Sequence, residues 1–447
     1  MHYAYITCPC GQLQGIGTDT YQRFKGIPYA HADRWEAPRD VTAWEGLLDA
    51  TVQGKACPQA NAFMLPSTGT ALFYRSEMVE KQVITYSEDC LNLNIWRPTE
   101  GQQLPVLVYI HGGSYETGSG CMAGFNTDAY CRRGVILVTI NYRLNAFAGA
   151  IGQGYSGNYG LQDQLSALRW VQRNIAAFGG DPEKVTIMGE SAGAMSVQNL
   201  VLSPMAAGLF RGAIMLSGGG ILPRAFRLRK PEDMQALWQE VVEEFGVASI
   251  DALKQIPPRE LYMTWKRISG KNPRYATPAT PVIDGHFLPD DPQILAQNGA
   301  VNRVPTILSV LSEDMWPHTL YQAILDWAKA VTPHGMPVYG AYFDRAVPGS
   351  DHGAYHGCDV KYVFDTLHLS WRPYTDTDRR ISRNMIDYFT GFVKTGIPQA
   401  EGLADWLPLT EQQQSFMHFG DESCAMTPVP PERLQATEAK GKPFPTI

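Results

Sequence analysis

Apolar residues along this chain fall into two rhythms. Unbroken or nearly unbroken runs of strand length occur at 91–96 (LNLNIW), 105–110 (PVLVYI), 135–140 (VILVTI), 185–189 (VTIMG), 212–216 (GAIML), 304–311 (VPTILSVL) and 337–343 (PVYGAYF). Several have apolar residues on both alternating faces, the pattern of a strand covered on two sides. Between them the spacing lengthens to that of a helix: 161–177, with Leu161, Leu165, Leu168 and Val171 on one stripe, then 192–202, 232–245, 320–331 (Leu320, Ile324, Trp327, Val331) and 378–394. Strands alternating with helices predict an α/β fold, a mostly parallel central sheet with helices on both faces. The stretch from about 222 to 303, rich in Arg, Pro and Gln, breaks the alternation and is expected to leave the sheet as a cap or flank. The chain shows no internal repeat or low-complexity linker.

Composition narrows the partners. With 44% hydrophobic and 18% charged residues, the 447-residue chain can bury a large core, as about three ordinary domains or as one large one. Its 44 acidic against 37 basic residues give a net charge of −7, which argues against nucleic acid or an anionic membrane and for small, largely uncharged partners. The opening MHYAYITCPCGQLQG has neither the basic nor the apolar segment of a secretory signal, and the apolar runs are too short to span a membrane, so a cytoplasmic location is expected. Eight cysteines in so long a chain do not form a disulfide framework. Cys8 and Cys10 lack the second pair that a zinc site needs, so they read as free thiols and no metal is expected.

The chemistry begins at VTIMGESAGAMSV, residues 185–197, where a β-prone run turns helical with Ser191 at the corner. A strand that enters a helix with almost no loop strains the corner residue, and Gly189 and Gly193 remove the side chains that would collide there. This is the sequence form of a nucleophile elbow. A serine nucleophile needs a base, and the oxyanion it creates needs donors. HGGS, residues 111–114, follows the apolar strand 105–110, leaving the amides of Gly112 and Gly113 unshielded, and Ala192 opens the helix after Ser191. In such a fold the acid and then the histidine follow the nucleophile. Glu313 and Asp314 end the run 304–311, and His352 and His356 both precede a glycine beyond the last apolar strand. Adjacent carboxylates point apart, so only one of the pair is expected to face the base.

The blocks RFKGIPYA (23–30), SEDCLNLNIWRP (87–98), HGGSY (111–115), NYRL (141–144), 157–193, LFRGAIMLSGG (209–219) and VIDGHFLPDDP (282–292) together resemble the type-B carboxylesterase and cholinesterase-like family. That resemblance implies one α/β-hydrolase domain over residues 1–447, with a shortened cap region and the excursion at about 222–303. It implies a serine esterase that forms an acyl-enzyme and needs no cofactor. Ser191 matches the nucleophile, and Gly112, Gly113 and Ala192 match the oxyanion donors. Gly353, His356, Gly357 and Asp359 reproduce the family's histidine block, which selects His356 over His352. The glycines of the acid block are replaced by Ser309 and Met315, and counting from Ser309 places the acid at Asp314, with Glu313 as the alternative.

The resemblance also implies that Ser217 braces the acid and that Cys57 and Cys90 match a pair bonded in secreted relatives, here expected to be reduced. Glu190 is expected to point away from the nucleophile and serve the structure. Only 42 positions separate Asp314 from His356, an interval that carries several wall-forming helices in longer relatives. A wider substrate site follows, with Tyr115 and Trp316 as candidate lining residues. The substrate implied is a small carboxylic ester, with an amide, thioester or lactone as the alternative for the same residues. A non-catalytic binding or adhesion member of the fold would have lost Ser191 or His356.

Overall fold

A computed structural model describes residues 1–63, 83–223, 228–275, 277–422 and 424–440. Among them, thirteen strands form one sheet: β1 (His2–Cys8), β2 (Gly11–Gly17), β3 (Tyr21–Pro28), β4 (Leu47–Asp49), β5 (Asn92–Pro98), β6 (Leu104–Ile110), β7 (Ile136–Ile140), β8 (Gly180–Glu190), β9 (Gly212–Leu216), β10 (Thr306–Leu311), β11 (Val338–Phe343), β12 (Phe416–Phe419) and β13 (Ala425–Thr427). Their spatial order is β1-β2-β3-β5-β7-β6-β8-β9-β10-β11-β12-β13, with β4 beside β2. From β7 through β12 all neighbours are parallel, whereas β1, β2, β3, β5 and β7 pair antiparallel in succession, as does the last pair, and β4 joins β2 in parallel.

Successive residues of each central strand enter different cores. Val106, Val108, Val185, Ile187, Leu308 and Val310 pack on one face with the helices α1 (Tyr159–Asn174), α2 (Ala192–Leu202) and α6 (Pro317–Val331). Leu107, Tyr109, Met188, Ile214 and Ile307 pack on the other with α8 (Asp376–Thr395). This is why the strands carry apolar residues on both alternating faces: each face is buried under a helical layer. The stripe Leu320, Ile324, Trp327 and Val331 of α6 is buried, as its spacing predicts.

The excursion at 222–303 holds three helices among its described residues, α3 (Pro231–Glu244), α4 (Pro258–Lys271) and α5 (Pro292–Gln297). Two further short α-helices lie among the described residues, α7 (Val360–Val363) and α9 (Pro431–Ala439). No described helix is long and apolar enough to cross a membrane. Parallel strands matter for function because their C-terminal ends lie along one edge, and β6, β8, β10 and β11 each release a loop there.

Candidate active site

The corner at Ser191 is strained as its sequence requires. Its φ of 58° and ψ of −123° are values that residues with a side chain rarely adopt. They are held by hydrogen bonds from the Ser191 amide to Leu216 O (2.8 Å) and from the Met195 amide to Ser191 O (3.0 Å). A Cβ at Gly189 would lie 2.3 Å from the Gly193 backbone, and one at Gly193 would lie 2.1 Å from Ile110 O. Both glycines are therefore demanded by the close passage of β6, β8 and α2.

Three loops converge on the serine hydroxyl. His356 Nε2 lies 2.8 Å from Ser191 Oγ, and His356 Nδ1 lies 2.6 Å from Asp314 Oδ1. A carboxylate only accepts, so Nδ1 carries the proton in the neutral ring and Nε2 is left to receive the serine proton. The Met315 amide donates to the same oxygen, Asp314 Oδ1, at 2.8 Å. Glu313 instead pairs through its backbone with the histidine loop, its amide donating to Ala354 O at 3.1 Å, and it is the Asp314 carboxylate that the structure brings to the base. His352 is not brought to Ser191; its amide bonds Ser350 Oγ.

On the oxyanion side, residues 113–115 all have positive φ, and a Cβ at Gly113 would stand 2.3 Å from Thr117 O. His111 lies under this loop, stacked on Tyr142, and burial pushes it down to about 4, so the ring is neutral. Its Nδ1–H donates to Gly112 O at 2.8 Å, which fixes the Gly112–Gly113 peptide. The loop is further tied by Gln59, whose side chain bonds both the amide and the carbonyl of Gly118, and by the Asn145 amide, which donates to Tyr115 O. Arg143 and Asp163 form a buried two-pronged pair at 2.7 and 2.8 Å that anchors the segment carrying Asn145 to α1. The 141–144 and 157–193 blocks thus meet in space. Among the described residues, the amides of Gly112, Gly113 and Ala192 have no backbone acceptor in the turns, loops and caps.

Three expectations need correction. Glu190 does not point away: it is buried, and its Oε1 lies 3.3 Å from His356 Nε2. The positive φ at Ser191 ends the regular up-down alternation of the strand, so residues 190 and 191 reach the same imidazole. Ser217 does not brace Asp314: its hydroxyl is buried without a hydrogen-bond partner, while its amide donates to Ser309 Oγ at 3.2 Å. Tyr115 faces the interior, its ring in the core and its hydroxyl accepting from Ser196 on α2. Trp316 stands 41% exposed just before α6.

Electrostatics set the state of the base. Burial disfavours the imidazolium of His356, but the charges of Asp314 and Glu190 and the Asp314 hydrogen bond outweigh it and push the group up to about 9. Behind it Asp359 is fully buried with neither carboxyl oxygen hydrogen-bonded, and burial followed by Glu190 and Asp314 pushes it up to about 8. Sequence reasoning placed Asp359 in the histidine block but gave it no role. All eight cysteines are buried free thiols; Cys90 is pushed up by its hydrogen bond with the Cys57 thiol and by burial.

A mostly parallel sheet flanked by helices, with a serine elbow after one strand and an acid and a histidine on later loops, defines the α/β-hydrolase fold. Within it the chain belongs to the carboxylesterase family, whose model matches residues 3–323 and 312–437. It is 29% identical to the para-nitrobenzyl esterase of Bacillus subtilis over 94% of this chain and 96% of that one. It is 31% identical to the bile salt-activated lipase of Rattus norvegicus, over 91% of this chain and 79% of the relative. A solved carboxylesterase of Geobacillus stearothermophilus superposes with a TM-score of 0.82 at 28% identity, covering 97% of this chain and 99% of the other. The activity that accompanies this membership is carboxylic ester hydrolysis.

Proposed function

We propose that the chain cleaves small carboxylic esters through an acyl-enzyme on Ser191. The observation that carries this reading is the continuous relay Ser191 Oγ, His356, Asp314, at 2.8 and 2.6 Å. Neutral His356 accepts the hydroxyl proton at Nε2 as Ser191 Oγ bonds to the carbonyl carbon. Negative charge then gathers on the carbonyl oxygen. The amides of Gly112, Gly113 and Ala192 receive it, each such donor being worth about 3 kcal/mol, and the N-terminus of α2 adds a favourable field. His356 returns its proton to the departing alkoxide, then takes one from water to release the acid. Asp314 holds the ring in the required tautomer and stabilises its charged form. The name of the Bacillus subtilis relative makes aromatic alcohol esters the first substrates to try.

The chain forms one α/β-hydrolase domain with a shortened cap, and its site is open on the side of α6. Supporting this are the short interval between Asp314 and His356 and the exposure of Trp316 at the head of α6; a cleft of about 820 Å³, bordered by Ile221, Leu222, His318, Gln322 and Ala323, runs along the same helix without taking in Ser191 or His356. Covalent labelling by a fluorophosphonate should be lost in Ser191→Ala, with the circular dichroism unchanged. Asp314→Asn should lower kcat by about 10⁴, and Glu313→Gln by less than about threefold. Persistent labelling of Ser191→Ala, or the reverse order of the two acid variants, would overturn the assignment.

A further inference from the structure

The face of α2 that begins at Ser191 continues through Met195, Gln198 and Asn199, at i, i+4, i+7 and i+8. Beside it run Gly219 to Leu222, and together with Leu228 and the start of α5 they enclose a pocket of about 30 Å³. Its walls are apolar, with Met195, Ile221, Leu222 and Leu228 among them. Four polar side chains break this lining: Gln198, Asn199, Asp291 and Gln293. Gln198 and Asn199 are 6% and 3% exposed, and Gln198 Oε1 and Asn199 Nδ2 have no hydrogen-bond partner. The other end of the Gln198 amide is fixed by its bond from Nε2 to Gly220 O at 3.0 Å, so Oε1 remains the acceptor. An acceptor and a donor buried without partners are each costly unless a ligand completes them.

The rise of a helix, about 1.5 Å per residue, puts Gln198 on the order of 10 Å along the axis from Ser191. That is the length of a chain of about eight atoms. Gly218 keeps the segment after β9 close here, since a Cβ on it would lie 2.7 Å from Ser191 O. Met195, unbranched and only partly buried, is the adaptable side chain between the serine and the pocket.

Resting on Ser191 as the nucleophile, we propose that this pocket receives the hydroxyl end of an ω-hydroxylated ester. A hydroxyl donates to Gln198 Oε1 while accepting from Asn199 Nδ2. Of Gln198 and Asn199, a carboxylate would satisfy only Asn199, an ammonium only Gln198, and a methyl group neither, and Asp291 in the same lining repels a carboxylate further. The space takes a terminal hydroxymethyl group and excludes a ring. Gln198 and Asn199 are thus specificity-determining residues for a substrate with an apolar chain and a neutral polar end.

Two matched pairs test this and separate the two ends of the ester. One is 4-nitrophenyl octanoate with 4-nitrophenyl 8-hydroxyoctanoate, followed by nitrophenolate release. The other is octyl acetate with 8-hydroxyoctyl acetate, followed by acid release, with active protein counted by fluorophosphonate labelling of Ser191. In one pair the hydroxylated ester should be favoured about tenfold in kcat/KM, as two neutral hydrogen bonds allow. Gln198→Leu combined with Asn199→Leu should bring that ratio to about one, and Asn199→Ala alone should lower it about threefold. The proposal is overturned if the wild-type protein shows no such preference in either pair, as a pocket filled by ordered water alone would give. It is equally overturned if, in protein that still labels, the double variant keeps the preference or Asn199→Ala leaves it undiminished. Failure of wild-type Ser191 to label would instead remove the catalytic reading, and this proposal with it.

Discussion

Two carboxylates of His356's surroundings were not both legible in the sequence. Asp314 was, because the register of the acid block and the rule that neighbours diverge lead to it; Glu190 was not, because its direction depends on the φ of 58° at Ser191, a conformation that only the folded corner imposes. Its presence 3.3 Å from Nε2 has a measurable effect. Glu190 stabilises the imidazolium, whereas turnover requires the neutral ring. Removing the charge in Glu190→Gln must therefore lower the group from about 9 and carry the acid limb of kcat/KM toward lower pH, by roughly one unit. A limb that stays in place or moves upward would show that Glu190 does not govern the base.

Among the elements, those buried on two faces or striped at helical spacing were readable, and α1, α2, α6 and α8 lie where their apolar residues place them. The N-terminal β1–β3 were missed: Gly and Gln occupy much of β2, and the order of all three comes from pairing with one another and with β5, which no local pattern announces. Helix α4 was hidden by Pro257 and Pro258, although Leu261, Tyr262, Trp265 and Ile268 form a buried stripe. Helix α8 shows how an element is fixed at its start. Asp378 accepts from the amide and hydroxyl of Thr375, from Arg345 and from Tyr362, at 2.6 to 3.1 Å. Burial tends to raise its pKa, but these donors outweigh it and hold the carboxyl at about 2. A folded value below the unfolded one contributes stability above about pH 4, lost as pH falls through about 2. Asp378→Asn should cost about 3 kcal/mol at neutral pH, read as a lower thermal midpoint, and the difference from wild type should shrink toward pH 2. An equal difference at both pH values would refute the ionic account.

For the molecule as a whole, the alternation of runs made the parallel sheet legible, while the helical content of 231–297 was only partly so, with α3 foreseen and α4 not. The short interval between Asp314 and His356 was legible as a count of residues, and the cleft along α6 lies on that side. The same layout governs how the protein comes to exist. Ser191 and His356 are separated by 165 residues of chain, and the relay closes only after β9, β10 and β11 have docked in turn on β8. Such long-range closure is slow relative to local helix formation. On dilution from denaturant, far-ultraviolet dichroism should recover first and fluorophosphonate reactivity should appear in a later, slower phase. Coincident recovery of the two signals would contradict this order. Chemical competence then arrives as the final event of assembly, so a nascent or partly folded chain cannot acylate itself on stray esters in its surroundings.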